Sequence, residues 1–361
     1  MRQAIAARLT AVAVRYEGSQ QFVGTGCSRA IARFAALLRS GLAVRYPDSY
    51  NADMAISDIS DISINPQAIA VTATSDANLH DDAWFGSLDL NYVWRDGATQ
   101  VARSRHQSPL KVQRPFYPEG RQICHSLILH TAGGIVGGDR LTQALHLQPD
   151  ARALVTTPAA TKIYRSNGRQ ATQAIAIHLG AEAWLDWLPQ EAIAFDGARY
   201  RQELRVDLAP SATWLGWDVT RFGRSARGER FLSGEWRSRV EVWRQGKPLW
   251  IDRQYLRGGR DIDRLNALAG RSVVGTLAWF GGATVQDSVV RELVAEARSL
   301  WQPQGELAEA GVTRARGDGL LCRYRGTSTT EAKRWFVGVW ELLRREFAGR
   351  SPVMPRAWQW F

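Results

Sequence analysis

The sequence predicts a mainly β body with helices packed at its C-terminal end. Three observations carry this. From Ser87 to Phe280, short strand-like runs recur roughly every 10 to 20 residues, with Gly, Pro, Asn or Asp at the breaks. These runs follow one another without the helical segments that βαβ units require. Beyond Val285 the apolar spacing changes from 2 to 3.6.

Ser87–Trp94 and Thr99–Ser104 flank Arg95-Asp96-Gly97 and read as a hairpin. Strand runs follow at Gln122–His130, Arg140–Leu147, Ala153–Thr157, Gln173–Leu179, Glu182–Leu188, Tyr200–Leu208 and Thr213–Val219. Trp236–Trp243, Leu249–Tyr255 and Val273–Phe280 continue the series. Several are apolar on both faces. In Trp184-Leu185-Asp186-Trp187-Leu188 only the aspartate interrupts the run. In Trp236–Trp243, one face carries Trp236, Ser238, Val240 and Val242. The 15 tryptophans are expected mainly in the core. No fixed period repeats, so the residues by themselves support neither a propeller nor a regular solenoid.

The C-terminal part reads as helical. Val285–Trp301 puts Val289, Val290, Leu293, Ala297, Leu300 and Trp301 on one stripe. Ser328 and Glu331 form a capping box before a helix with Ala332, Phe336, Val339, Trp340, Leu343 and Phe347 on one face, ended by Gly349 and Pro352.

Ahead of this body, residues 1–82 form a separate N-terminal extension. Its first 47 residues are Arg- and Ala-rich with Glu17 as the sole acid, and residues 48–82 are polar linker. A poorly ordered tail, or a start codon placed too far upstream, accounts for it. Residues 83–361 form the main domain.

Composition excludes several classes. Hydrophobic residues make up 45% and charged residues 22%, and no run of about 18 apolar residues marks a membrane helix. The formal net charge is +11, but the arginines are scattered along the chain. That pattern fits a dispersed basic surface or an acidic protein partner, not a nucleic-acid tract. Cys27, Cys124 and Cys322 are too few and too far apart for a disulfide framework, which fits a reducing, cytoplasmic setting.

The motifs point away from catalysis. Gly133-Gly134-Ile135-Val136-Gly137-Gly138-Asp139-Arg140 lacks the Gly-Lys-Ser/Thr ending of a phosphate loop and precedes a strand. It reads as a tight glycine turn with Asp139 bonding nearby amides. No GxSxG is present, and Cys124 and His125 face opposite sides of one strand. Cys124, His125 and His130 could assemble in space as metal ligands, although strand histidines are commonly structural. Thr156–Ser166 ends a strand in a basic turn, and Leu188–Ala198 places Glu191 and Asp196 around an apolar stretch. These acids could pass a divalent cation along, or simply cap turns.

Four segments in this order resemble the UreD (UreH) family of urease accessory proteins. They are Gln113–Gly120, Gly133–Arg140, Thr156–Ser166 and Leu188–Ala198. The resemblance runs from about residue 84 to the C-terminus and does not cover residues 1–80. Two departures are mild: His130-Thr131-Ala132 ahead of the glycines, and Ala159 in place of a frequent Gly.

The resemblance implies a two-layer, β-helix-like stack of short strands with C-terminal helices. It implies a non-enzymatic metallochaperone scaffold that binds apo-urease and UreF, with the GTPase UreG joining through UreF. Nickel would pass transiently, with no tightly bound cofactor, and the matched acids Asp139, Glu191 and Asp196 would line its passage. Nucleic acid and membrane are not expected partners. Two other functions compete with this one. A hydrolase could use Glu191 and Asp196 as an acid/base pair, which requires a deep pocket with raised carboxylate pKa values. A carbohydrate-binding β module requires a row of exposed tryptophans.

Overall fold

The computed structural model describes residues 83–282, 285–304, 307–315 and 319–358. The extension expected over residues 1–82 lies outside the described residues.

The chain winds back and forth between two sheets. The first sheet contains β1 (Phe85–Arg95), β2 (Ala98–Gln107), β5 (Arg140–Leu147), β8 (Ala171–Leu179), β11 (Arg199–Leu208), β13 (Glu235–Arg244) and β14 (Lys247–Arg257). Its order is β14-β13-β11-β8-β5-β1-β2. The strands from β13 to β1 are parallel, and an antiparallel hairpin closes each end. Both hairpins carry a bulge, at Asn91/Tyr92 and at Val242/Trp243, and β14 contains Pro248.

The second sheet contains β3 (Leu110–Val112), β4 (Ile123–His130), β6 (Arg152–Thr156), β9 (Trp184–Leu188), β12 (Thr213–Phe222), β15 (Val273–Phe280), β16 (Glu309–Ala315) and β17 (Gly319–Gly326). Their order is β16-β17-β15-β12-β9-β6-β4-β3. Strands β4, β6, β9 and β12 are parallel. Short strands β7 (Thr161–Ile163) and β10 (Ala192–Ala194) form a third ladder with Ile135 at one end and Thr220–Phe222 at the other. Each winding therefore crosses one strand of each sheet and one short bridging segment, which is a β-solenoid. The sequence shows no period because the windings differ in length. Arg140, Thr172, Arg201 and Arg237 are register partners in successive windings yet lie unequal distances apart in sequence.

The predicted strands are all present, most with ends moved by one to three residues. The C-terminal part differs from the all-helical expectation. The antiparallel pair β16–β17 separates helix α1 (Asp287–Ser299) from helix α2 (Thr329–Ala348). The capping box is also only half formed. The Ser328 hydroxyl accepts the Glu331 amide at 3.1 Å, but the Glu331 carboxylate accepts Tyr324 Oη and the Gln304 amide instead of returning to Ser328. Glu331 thus ties the helix start to the sheet.

Apolar side chains fill two layers. Between the sheets lie Leu90, Tyr92, Leu145, Ile177, Val206 and Val242 with their neighbours. The outer face of the second sheet packs Leu215, Trp217, Leu277 and Trp279 against Val290, Phe336, Trp340 and Leu343 of the two helices. This explains the two-sided strand patterns, since the second sheet is covered on both faces.

One polar network crosses the second layer. The Arg344 guanidinium, fully buried, donates to Asp186 Oδ2 at 3.0 Å and to the Glu119 carboxylate. The indoles of Trp184 and Trp340 donate to Asp186 at 2.8 and 3.0 Å, and His125 Nε2 lies 2.9 Å from Glu119 Oε1. The aspartate that interrupts Trp184–Leu188 is thus the anchor for α2. Burial alone would raise the Glu119 carboxyl, but the His125 hydrogen bond and the Arg344 charge outweigh it and hold its pKa below the usual range.

Replacing Arg344 with Ala leaves two buried carboxylates without their cation and is expected to cost about 3–5 kcal/mol, read from urea unfolding. Glu119→Gln tests the same network by pH. Because the folded pKa of Glu119 lies below its unfolded value of about 4.3, its contribution is complete above that pH and disappears as the folded group titrates. The stability gap between wild type and Glu119→Gln is therefore expected to be largest near neutrality and to close on acidification. A gap that stays constant with pH would contradict this.

Candidate functional site

The motif segments are consecutive corners of the solenoid. Residues 133–140, 157–170 and 189–198 each link a strand of the second sheet, through the bridging ladder, to the next strand of the first. They stack by backbone bonds: Ile135 N–H to the Lys162 carbonyl at 2.8 Å, Thr161 N–H to Glu191 at 2.9 Å and Ser166 N–H to Gly197 at 2.9 Å. A Cβ at Gly134, whose φ is +151°, would stand 2.5 Å from the Tyr164 ring and 2.7 Å from the Lys162 carbonyl. Gly134, Gly137 and Gly138 are there because the next corner lies against them, and Gly133 because its φ is +76°.

Two of the three candidate acids fasten these corners. Asp139 is fully buried and accepts the amides of Trp84 and Val136, each at 2.9 Å. Asp196 Oδ1 accepts the amides of Leu232 and Ser233 at 2.8 and 2.7 Å, while Oδ2 accepts Arg165 at 2.6 Å. Glu191 pairs with Lys333 of α2 at 2.6 Å, and its neighbours Gln190 and Ala192 line an interior cavity. Glu191 and Asp196 therefore have different partners and do not form an acid/base pair.

The other three candidates stand apart. The Cys124 thiol lies in the inter-sheet core, 3.8 Å from Ser126 Oγ, and burial pushes its pKa up to about 11. His125 belongs to the Arg344 network. Both ring nitrogens of His130 are buried without a hydrogen-bond partner, and burial holds its pKa down. No group of three His, Cys, Asp or Glu side chains converges among the described residues. Among these same residues Trp94 is the one exposed tryptophan, so no row of indoles faces solvent.

The chemistry that motif reading missed lies between the sheets. Register places Gln173, Gln202, Ser238 and Gln254 side by side across the first sheet. Across the second sheet, Asp218, Thr276 and Arg323 are aligned. Gln173, Gln202, Asp218 and Thr276 line a cavity of about 80 Å³, and Asp218, Ser238, Gln254 and Thr276 line an adjoining chamber of about 20 Å³; the two share Asp218, Val240 and Thr276, and Arg323 lines neither. A water needs about 10–15 Å³ of such space, so the cavity holds several and the chamber one.

The polar groups are linked. Tyr200 Oη donates to Gln173 Oε1 at 2.7 Å, Gln202 Nε2 to Asp218 Oδ2 at 2.6 Å and Thr220 Oγ1 to Asp218 Oδ1 at 3.1 Å. Arg323 grips Asp252 with both Nη atoms at 2.8 and 2.9 Å and also donates to Thr276 at 2.8 Å. Buried Gln143 Oε1 and Trp214 Nε1 line the cavity without a hydrogen-bond partner. Burial raises the Asp218 pKa, the Gln202 and Thr220 bonds oppose this, and the nearby Asp252 charge adds to the rise. Carboxylate, amide and hydroxyl oxygens are hard donors that hold divalent cations with retained water. Neither His nor Cys lines the cavity.

Fold and interior together define a β-solenoid scaffold whose apolar core contains a cavity with a polar patch. The chain belongs to the UreD family: the family's sequence profile, described as UreD urease accessory protein, matches residues 85–359. It is therefore a urease maturation factor and not a catalytic subunit. The chain is similar to urease accessory protein UreD of Nostoc punctiforme, with 57% identity over 77% of this chain and 97% of the relative. Identity to that of Trichormus variabilis is 58% over the same shares. For the Methylobacillus flagellatus protein it is 40%, over 79% of this chain and 98% of the relative. No helix among the described residues is long and apolar enough to cross a membrane.

A raised acid pKa has a definite consequence for stability. Above its folded pKa, an ionised, half-buried Asp218 costs free energy that a neutral isostere avoids, and below about pH 3.9 both states hold the proton. Asp218→Asn is expected to melt above wild type at pH 8, with the difference shrinking as pH falls. A lower melting temperature at pH 8 would place the carboxylate among the stabilising groups.

Proposed function

We propose that this chain conducts nickel to apo-urease through its polar interior, in a complex with UreF and, through UreF, the GTPase UreG. Nickel here is cargo. The observation that supports this reading is the polar patch of a largely apolar cavity, where the half-buried Asp218 carboxylate accepts its hydrogen bonds from neutral donors. Such ligands capture a divalent cation without retaining it, as a transfer step requires. Glu191 does not line the cavity itself; it acts beside it, pairing with Lys333 next to cavity-lining Gln190 and Ala192. Asp139 and Asp196 act on the route indirectly, by fixing the corners that shape it.

The net charge of +11 supports docking to acidic faces of the partners by electrostatic steering. The cytoplasm is the setting that free, buried Cys124 and Cys322 favour.

Co-purification of the tagged chain with UreF, UreG and apo-urease, followed by activation with nickel and GTP, tests the whole reading. The wild-type chain is expected to form the complex and activate urease. Asp218→Asn and Glu191→Gln are expected to assemble normally but activate at least roughly tenfold more slowly. A chain that ignores these partners, or activation unaffected by Asp218→Asn, would refute the route. Removing residues 1–82, which lie outside the family match, is expected to leave activation intact.

A further inference from the structure

Resting on the partner reading above, we propose that the hook formed by residues 223–234, with the arginines around it, is the docking surface for a protein whose own face offers carboxylates around an apolar hollow.

The hook leaves β12 after Phe222 and enters β13 at Glu235. Its backbone is held from three sides. Phe231 is buried in the inter-sheet core and packs on Phe222. Asp196 Oδ1 accepts the amides of Leu232 and Ser233 and the Ser233 hydroxyl. The Gly259 N–H donates to the Phe231 carbonyl at 3.0 Å, and a Cβ at Gly259, where φ is +72°, would stand 2.6 Å from the Leu232 carbonyl. Leu232 itself is nevertheless 58% exposed. A lone surface leucine needs no explanation. This one is fixed in place by a carboxylate, a buried ring and a left-handed glycine, so it meets a partner already ordered.

The charge around Leu232 is layered, with carboxylates beneath and guanidiniums outermost. In the Arg165–Asp196 pair the arginine side chain is 68% exposed and the aspartate 19%. In the Arg224–Glu229 pair the values are 35% and 17%. Both acids are spent on backbone, since Glu229 accepts the Asp196 amide as Asp196 accepts those of the hook. Arg199, which donates to the Gly168 carbonyl, and Arg260, next to Gly259, add exposed cations. Asp263 is the exception, an exposed acid paired with Arg230. An approaching molecule thus meets an ordered leucine amid positive charge.

A protein fits this surface better than a nucleic acid does. Arg165, Arg199, Arg224 and Arg230 are already engaged by carboxylates or a carbonyl, which weakens their pull on phosphate. The Phe195 ring carries the Arg224 guanidinium 4.4 Å from its centroid and is not open for base stacking. An apolar anchor with an arginine-rich surround is the composition of a protein interface. The surface also adjoins the cavity. Corner 189–198, which holds Asp196, begins with cavity-lining Pro189, Gln190 and Ala192. A partner seated on the hook lies at a corner that the route borders.

The test titrates the full chain against apo-urease and against UreF separately, at low and high salt. Leu232→Ser is expected to weaken binding to one of the two at least roughly fivefold at both salts. Arg260→Glu is expected to weaken binding to the same partner by a similar factor at low salt and by less at high salt, where the charge is screened. Both side chains lie in solvent, so both variants are expected to melt like wild type. Ile251→Ser, on the outer face of the first sheet, is expected to bind like wild type. Wild-type binding of both partners by either Leu232→Ser or Arg260→Glu overturns the surface. So does a loss that Ile251→Ser reproduces or that falls equally on both partners. Loss of duplex DNA binding by these variants, with both proteins bound normally, assigns the surface to nucleic acid and overturns it too. The two readings fail differently. A wild-type chain that binds neither apo-urease nor UreF refutes the partner reading and this surface with it. A wild-type chain that binds and activates urease, matched throughout by the Leu232 and Arg260 variants, removes the surface alone.

Discussion

Parallel register is the constraint on which the rest of this structure depends. Strands β1, β5, β8, β11 and β13 run in the same direction, so a given inward position recurs at the same height in every winding. Apolar positions then stack into a continuous core, and polar positions stack into a continuous polar row. Gln173, Gln202 and Ser238 adjoin for this reason and not through any sequence motif, and the antiparallel strand β14 adds Gln254 to the row. The corners obey the same rule. Their backbone bonds and close glycine contacts follow from each winding resting on the last.

The second sheet faces a different problem. Apolar cover on both sides leaves little to specify how a helix should lie across it, because hydrophobic contact has no direction. The buried Arg344 network supplies direction. It joins Glu119, ahead of β4, and Asp186, in β9, to one side chain of α2, with two indoles completing the aspartate's bonds. Removing those charges from water is expensive, and in other folds such clusters add specificity more than stability. Lys333, about three turns earlier on the same face, places the same helix against Glu191 and cavity-lining Gln190. The helix is therefore fixed to the corner region as well as to the sheet.

Much of the fold was legible because alternation and turn residues report strands directly. Arg140–Leu147 and Val273–Phe280 coincide with their predicted ends. The Asp139 turn was legible too, as a carboxylate gathering backbone amides. The β16–β17 pair was not, because Glu309-Ala-Gly-Val-Thr-Arg-Ala carries few apolar residues and lies between two helical patterns. Asp218 escaped notice for a physical reason. In Trp214-Leu-Gly-Trp-Asp-Val-Thr both faces of the strand are buried, so one polar residue does not reveal which face it serves. Ser238 gave the usable hint, a hydroxyl on the face otherwise made of Trp236, Val240 and Val242. Its neighbours in the polar row come from other windings, and unequal winding lengths hide that alignment from the sequence.

The hairpins at the two ends of the first sheet have a consequence for self-association. A stack of parallel rungs would leave bare backbone donors and acceptors at each end, able to recruit another copy and grow as a fibre. Here each end turns antiparallel and is twisted by a bulge, and β14 adds Pro248, which has no amide hydrogen to offer. Charged side chains along β14, among them Lys247, Arg253 and Arg257, further discourage strand addition. The solenoid thus has a built-in stop at both ends, and its length stays that of a single chain.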